Sequence, residues 1–137
     1  MSLLFKTKLI LYFDFEASHS LDVREEPHPH LWKTTLTFTG EPLKGRIIDF
    51  PALESAVQET LSSLPGCYLN ENADLLTSAM AFPTCESLGE SIFTLIRERA
   101  IARFLGENPS LELLSVQVTL IEGDRVYGSA VTELRSS

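Results

Sequence analysis

The stretch HPHLWKTTLTFT, residues 28–39, alternates almost without a break. His28, His30, Trp32, Thr34, Leu36 and Phe38 share one parity, while Lys33, Thr35, Thr37 and Thr39 share the other. Successive side chains on a strand point to opposite faces, so a period of two sustained over this length fits a strand and not a helix. One face is apolar and the other carries Thr and Lys, as in an antiparallel sheet packed on one side and wet on the other. Residues 9–19 (LILYFDFEASH) repeat the pattern. Leu9, Leu11, Phe13, Phe15, Ala17 and His19 form one face, and Asp14, Glu16 and Ser18 lie on the other. A helix is the alternative for this run, but Tyr12, Phe13 and Phe15 favour a strand. The charges and Pro27 between the two runs read as a loop.

Two helical patterns follow. In residues 49–66 (DFPALESAVQETLSSLPG), Leu53, Val57, Leu61 and Leu64 recur every three to four positions. Pro51 sits near the first helical position, where its missing N–H costs nothing, and Pro65-Gly66 stops the pattern. Residues 82–106 (FPTCESLGESIFTLIRERAIARFLG) read as a second helix, with Thr84 as N-cap, Glu86 at the positive end of the dipole and Gly106 at its close. Strands over 111–121 and 125–134 end the pattern, joined by a three-residue hairpin loop, EGD. The order β-β-α-α-β-β predicts an α+β fold with helices packed on one face of an antiparallel sheet. A chain of 137 residues reads as a single domain, 1–137, long enough to bury its own core.

Charge and cysteine content narrow the function. The net charge of −8 opposes broad binding to phosphate backbones, so no nucleic-acid partner is expected. Cys67 and Cys85 form neither a disulfide framework nor a thiolate zinc motif. The apolar run at 9–13 is too short to span a bilayer, and no signal peptide is evident, so neither a membrane anchor nor export is expected and the expected location is cytoplasmic.

All three histidines, His19, His28 and His30, fall within twelve positions. His28 and His30 are two apart and so share a face. His19 ends the preceding strand and reaches the same point if residues 20–27 fold back. Three imidazoles converging from two strands match a catalytic zinc site, with an open fourth position for water or substrate. The competing reading is a solvated loop in which His happens to cluster.

The short motifs FEASH (15–19), HPH (28–30), GRIIDFPAL (45–53), YLNE (68–71) and FPTCES (82–87) occur in this order. With them the chain resembles the 6-pyruvoyltetrahydropterin synthase / 6-carboxytetrahydropterin synthase family over roughly residues 11–127. The resemblance implies the tunnelling fold, in which three subunits close their sheets into a barrel and two trimers stack into a homo-hexamer. It implies zinc held by His19, His28 and His30, and a pterin substrate, dihydroneopterin triphosphate in most members. It implies a reaction in which zinc would grip the substrate's side-chain hydroxyls and an acid/base group would move protons. Departures fall at the acid/base positions. Arg24 stands where the family usually has Cys, with Glu25 and Glu26 beside it. Pro65 and Gly66 stand where an Asp-His relay would be, with Cys67 next to them. Leu120 takes the place of the glutamate that anchors the pterin, and Glu122 lies two residues on.

Candidate catalytic groups are therefore Glu25, Glu26 and Cys67, and candidate substrate-binding groups are Thr84 and Glu122. Each has a plainer reading. Glu25 and Glu26 suit a solvated acidic pair, and Cys67 a small buried side chain. Thr84 suits a helix cap, and Glu122 a turn. Three functions stay open: a zinc-dependent tetrahydropterin synthase-like lyase with a rearranged acid/base set, a zinc- and pterin-binding relative without catalysis, and a partner subunit in a mixed oligomer.

Overall fold

The structure, a computed structural model, describes residues 3–22, 25–76 and 83–135, with the side chain of Leu76 excepted. Four strands, β1 (Lys8–His19), β2 (His28–Thr39), β3 (Glu112–Glu122) and β4 (Arg125–Thr132), form one antiparallel sheet in the order β1-β2-β3-β4. The helices are α1 (Phe50–Thr60), a short α2 (Ala73–Leu76) and α3 (Cys85–Leu95). The sheet is open, with β1 and β4 at its edges.

Alternation decides which face is covered. Leu11, Phe15 and Ala17 of β1, Trp32, Leu36 and Phe38 of β2, and Val116 and Val118 of β3 are buried in one cluster with Leu53, Val57, Leu88, Ile92 and Ile96 of the helical layer. On the opposite face Ile10, Tyr12 and Val131 are exposed. Fully burying a side chain of this size stabilises by ~1.5–3 kcal/mol, so a one-residue slip of register would forfeit several such contributions and is strongly disfavoured. α3 packs on β3 and β4. Helix and sheet come close at Gly89, where a Cβ would lie 2.5 Å from Thr132 Oγ1.

Caps fix the helix starts. The Asp49 side chain accepts from the Ala52 N–H at the head of α1, with Pro51 in the first turn. Thr84 caps α3 in a capping box with Ser87. The helix ends depart from expectation. α1 closes at Thr60, and residues 61–66 continue as turns. α3 is regular only to Leu95, then widens into a π-type turn over Ile96–Ala100 and tightens into a 3₁₀ turn over Ile101–Phe104. Gly106 does not end it in a left-handed cap, because its φ is not positive. The chain instead turns through the Asn108 N–H, which donates to the Phe104 carbonyl at 2.9 Å. The buried Asn108 amide then donates to the carbonyls of Glu41 (3.0 Å) and Ile47 (2.7 Å), holding the loop after β2.

The β3–β4 turn has two residues, Gly123 and Asp124, and not the three expected, because Glu122 and Arg125 are themselves paired. Gly123 has φ +65°, the conformation a two-residue hairpin turn needs at its first central position. A bulge follows, in which Val126 to Gly128 oppose only Leu120 and Ile121, leaving Tyr127 as the extra residue. No helix among the described residues is long and apolar enough to cross a membrane.

Candidate metal centre and its cleft

Register brings the histidines together. His19 pairs directly with His28 and Ala17 with His30 across β1 and β2. Since the partners of one parity share a face, all three imidazoles project to the side occupied by Trp32. One ligand nitrogen from each of His19, His28 and His30 can be chosen so that all lie within 4.8 Å of one another. In a tetrahedral site with Zn–N near 2.0–2.1 Å, neighbouring ligand nitrogens are about 3.3 Å apart, close to the 3.1 Å between His28 Nδ1 and His30 Nε2.

The outer hydrogen bonds have the form a metal site requires. His19 Nδ1 donates to the Pro83 carbonyl at 2.8 Å, which leaves the lone pair on Nε2. His28 Nε2 bonds to the Glu25 carboxylate, and its Nδ1 lies 3.1 Å from His30 Nε2. Two of the three rings thus have one nitrogen fixed by an oxygen acceptor and the other directed at the cluster, the arrangement that fixes tautomer and ring orientation in metal-binding histidines. His19 is buried, and His28 and His30 are half-buried. Trp32, fully buried, forms the floor: its ring meets His19 and His30 edge to face at 5.0 and 6.1 Å, and its Nε1–H donates to the Ala17 carbonyl.

Charge around the cluster is acidic. Hydrogen bonding to His28 holds Glu25 below the usual carboxylate range, and the Leu21 N–H donates to its other oxygen. Desolvation lowers the His30 pKa, and the electrostatic influence of His19 and His28 lowers it further, against the raising effect of Glu122. A neutral imidazole is the form that binds metal.

The cluster opens onto a cleft of about 710 Å³ lined by Leu21, Leu120, Glu122 and Tyr127 among others. Glu122 stands on the same face as His30, since Leu31 pairs with Ile121 and the next step of that register sets His30 against Glu122. Glu25 is in contact with His28, whereas Glu26 is exposed and does not line the cleft. Cys67 and Thr84 do not line it either. Burial pushes the Cys67 thiol upward in pKa and outweighs the opposing hydrogen bond that the Asn72 amide donates to its sulfur at 3.6 Å, so it is poorly suited to be a thiolate. Thr84 is occupied as the cap of α3, and its contribution here is indirect: the preceding Pro83 carbonyl orients His19. Arg24 lies outside the described residues.

Pro65 and Gly66 have a visible structural task. Gly66 adopts φ +76°, turning the chain so that residues 66–68 run beside the end of β1. The Gly66 N–H donates to the Glu16 carbonyl at 2.6 Å, and the Ser18 N–H to the Cys67 carbonyl at 3.0 Å. Asn70, Tyr68 and Pro83 were not among the residues read from sequence as belonging to the site. Asn70 and Tyr68 both sit in YLNE, which follows the Pro-Gly turn after Cys67, and that position was the available signal.

An α+β sheet of this strand order, with helices on one face, is a fold that solved structures already populate. The chain is similar to the 6-pyruvoyl tetrahydropterin synthase of Caenorhabditis elegans (TM-score 0.73, 14% identity, 98% of this chain and 100% of that one). It is also similar to an uncharacterised protein from Wolinella succinogenes (TM-score 0.68, 14% identity, covering 96% and 100%). A third similar structure is a Plasmodium vivax 6-pyruvoyltetrahydropterin synthase variant with a catalytic glutamate replaced by alanine (TM-score 0.63, 15% identity, covering 94% and 99%). No curated protein matches the chain significantly by sequence. The family model for 6-pyruvoyl tetrahydropterin synthase matches residues 8–130, and the chain belongs to that family.

Proposed function

We propose that the protein is a zinc-dependent lyase of the 6-pyruvoyl/6-carboxytetrahydropterin synthase type, acting on dihydroneopterin triphosphate or a related pterin. The observation that carries this reading is the convergence of His19, His28 and His30, with outer partners in place, at the mouth of a cleft. Zinc bound there would supply Lewis-acid polarisation of a side-chain hydroxyl or carbonyl. His19, His28 and His30 would hold it, and Trp32 keeps water from the underside of the cluster.

Glu25 is the acid/base candidate. It is a carboxylate held ionised beside the cluster, so it serves as a proton acceptor and not as an acid. Glu26 and Cys67 take second place because Glu25 is the carboxylate hydrogen-bonded to a histidine of the cluster, while Glu26 is exposed and Cys67 bonds to Asn72. The Plasmodium vivax relative, described as carrying a replaced catalytic glutamate, supports a glutamate in this role. A lone base suits removal of a hydroxyl proton, as in retro-aldol cleavage of a pterin side chain, better than a full double elimination. Glu122, exposed at the cleft wall on the His30 face, is the group placed to accept hydrogen bonds from a pterin ring, and Thr84 supports the site through its cap. The lack of a relay at Pro65 and Gly66 favours the second reading, a zinc- and pterin-binding subunit without turnover.

We place it as a cytoplasmic homo-hexamer, a dimer of trimers. Free edges on β1 and β4 and exposed Tyr12, Val126 and Val131 support closure of the sheet by other copies. The test is incubation of the zinc-loaded protein with dihydroneopterin triphosphate and with unphosphorylated dihydroneopterin, with products identified by mass spectrometry. A pterin product with a shortened or rearranged side chain supports the lyase. Binding without any product supports the subunit reading.

A further inference from the structure

We infer that Asn70 is a positioning residue for the metal ligand His19. The inference rests on the reading of the three histidines as a metal site. The β1–β2 ladder ends at the His19–His28 pair, so the next residue, Ser20, has no strand partner. Ser20 is nonetheless buried, with only 2% of its surface exposed. Asn70 takes the place of the missing strand. Its Oδ1 accepts from the Ser20 N–H at 2.9 Å, and its Nδ2 donates to the Ser20 carbonyl at 2.8 Å. One side-chain amide thereby satisfies both backbone groups, as a facing residue in a ladder would. The Ser20 hydroxyl bonds to the Tyr68 hydroxyl, and Ser18 is tied to the Cys67 carbonyl.

His19 is therefore held on both sides along the chain by residues 66–70, across the sheet by His28, and at its ring by Pro83. His28 and His30 are half-buried, and His28 leans on Glu25, a group of the loop. The arrangement makes His19 the fixed ligand to which the other two close. Removing the amide would strand two buried polar groups one residue from that ligand, and the strand end would move to regain water. Metal ligands tolerate displacements of only about 0.5 Å before affinity suffers.

The experiment compares wild type, Asn70→Ala, Asn70→Asp and Asn108→Ala by zinc competition against a chelator and by the visible absorption of bound cobalt(II), at a temperature where circular dichroism shows each folded. Asn108 is the control, because its amide also clamps backbone groups with two hydrogen bonds, donated to the Glu41 and Ile47 carbonyls, in a loop away from the histidines. Asn70→Ala should bind zinc about 10-fold more weakly and show altered cobalt bands. Asn70→Asp keeps the acceptor for the Ser20 N–H but cannot donate to its carbonyl, and should fall between. Asn108→Ala should melt lower yet bind metal as wild type does. Wild-type affinity and spectra in the Asn70 variants would overturn the positioning role and leave the metal site standing. No binding by wild type would overturn both. Should Asn70→Ala not fold, the Asn70→Asp comparison decides by the same criteria.

Discussion

His19 and His28 are direct partners across the β1–β2 ladder, and their rings meet edge to face with centroids 4.9 Å apart. Pairing residues at the end of a ladder delivers two imidazoles to one point without relying on the intervening loop, and His30 joins them from the same face at 4.9 Å from His19. The backbone hydrogen bonds that make the sheet thus also set most of the geometry of the candidate metal centre.

Glu25 links that geometry to chemistry. Glu25→Gln should lower turnover by about 10²-fold or more at saturating zinc if the carboxylate accepts a proton, while Glu26→Gln should behave as wild type. The check is steady-state rates of both variants over a zinc titration. Full recovery of Glu25→Gln at high zinc would reduce its role to orienting His28.

The metal-free protein should lose stability on mild acidification. His30 has a folded pKa below its unfolded value of about 6.5, so between the two the unfolded chain binds the extra proton. Stability from this group is fully present above about pH 6.5 and is lost as pH falls from there through the folded value. Urea midpoints of chelator-treated wild type should drop from pH 7.5 to pH 5.5, and the slope should be shallower in His30→Gln. Equal slopes would show that His30 titrates as it does in the unfolded chain.

Gly89 sets the spacing between α3 and the sheet. Gly89→Ala should destabilise by ~1–2 kcal/mol despite the better helix propensity of Ala, because the new methyl meets Thr132 Oγ1 at 2.5 Å. Adding Thr132→Ala should restore most of the loss in a thermal melt. Additive losses in the double variant would place the clash elsewhere.

Much of this was legible in the sequence because strands announce themselves locally. Parity alone put His28, His30 and Trp32 on one face and His19 with Phe15 on another strand's inner face, and the sheet register joined the two. Thr84 was readable as a cap from its place before Cys85-Glu86. What stayed hidden was non-local or irregular. Segment 66–72 has no periodicity, and its bonds to Glu16, Ser18 and Ser20 span about fifty positions. Parity with His28 on paper points to Glu26, but the course of the chain into Pro27 turns Glu25 toward His28 and leaves Glu26 exposed. The change to a π-type turn at Ile96 has no sequence signature that separates it from a regular helix.

The metal content of the protein tests the central claim most directly. Equilibrium dialysis against zinc, read by elemental analysis, should give about one zinc per chain for wild type and a loss of at least 10-fold in affinity for His28→Ala and for His30→Ala, with the emission of Trp32, the one tryptophan in the chain, responding to metal only in wild type. Equal zinc in wild type and both variants, or none in any of them, would contradict the assignment of His19, His28 and His30 as a metal centre.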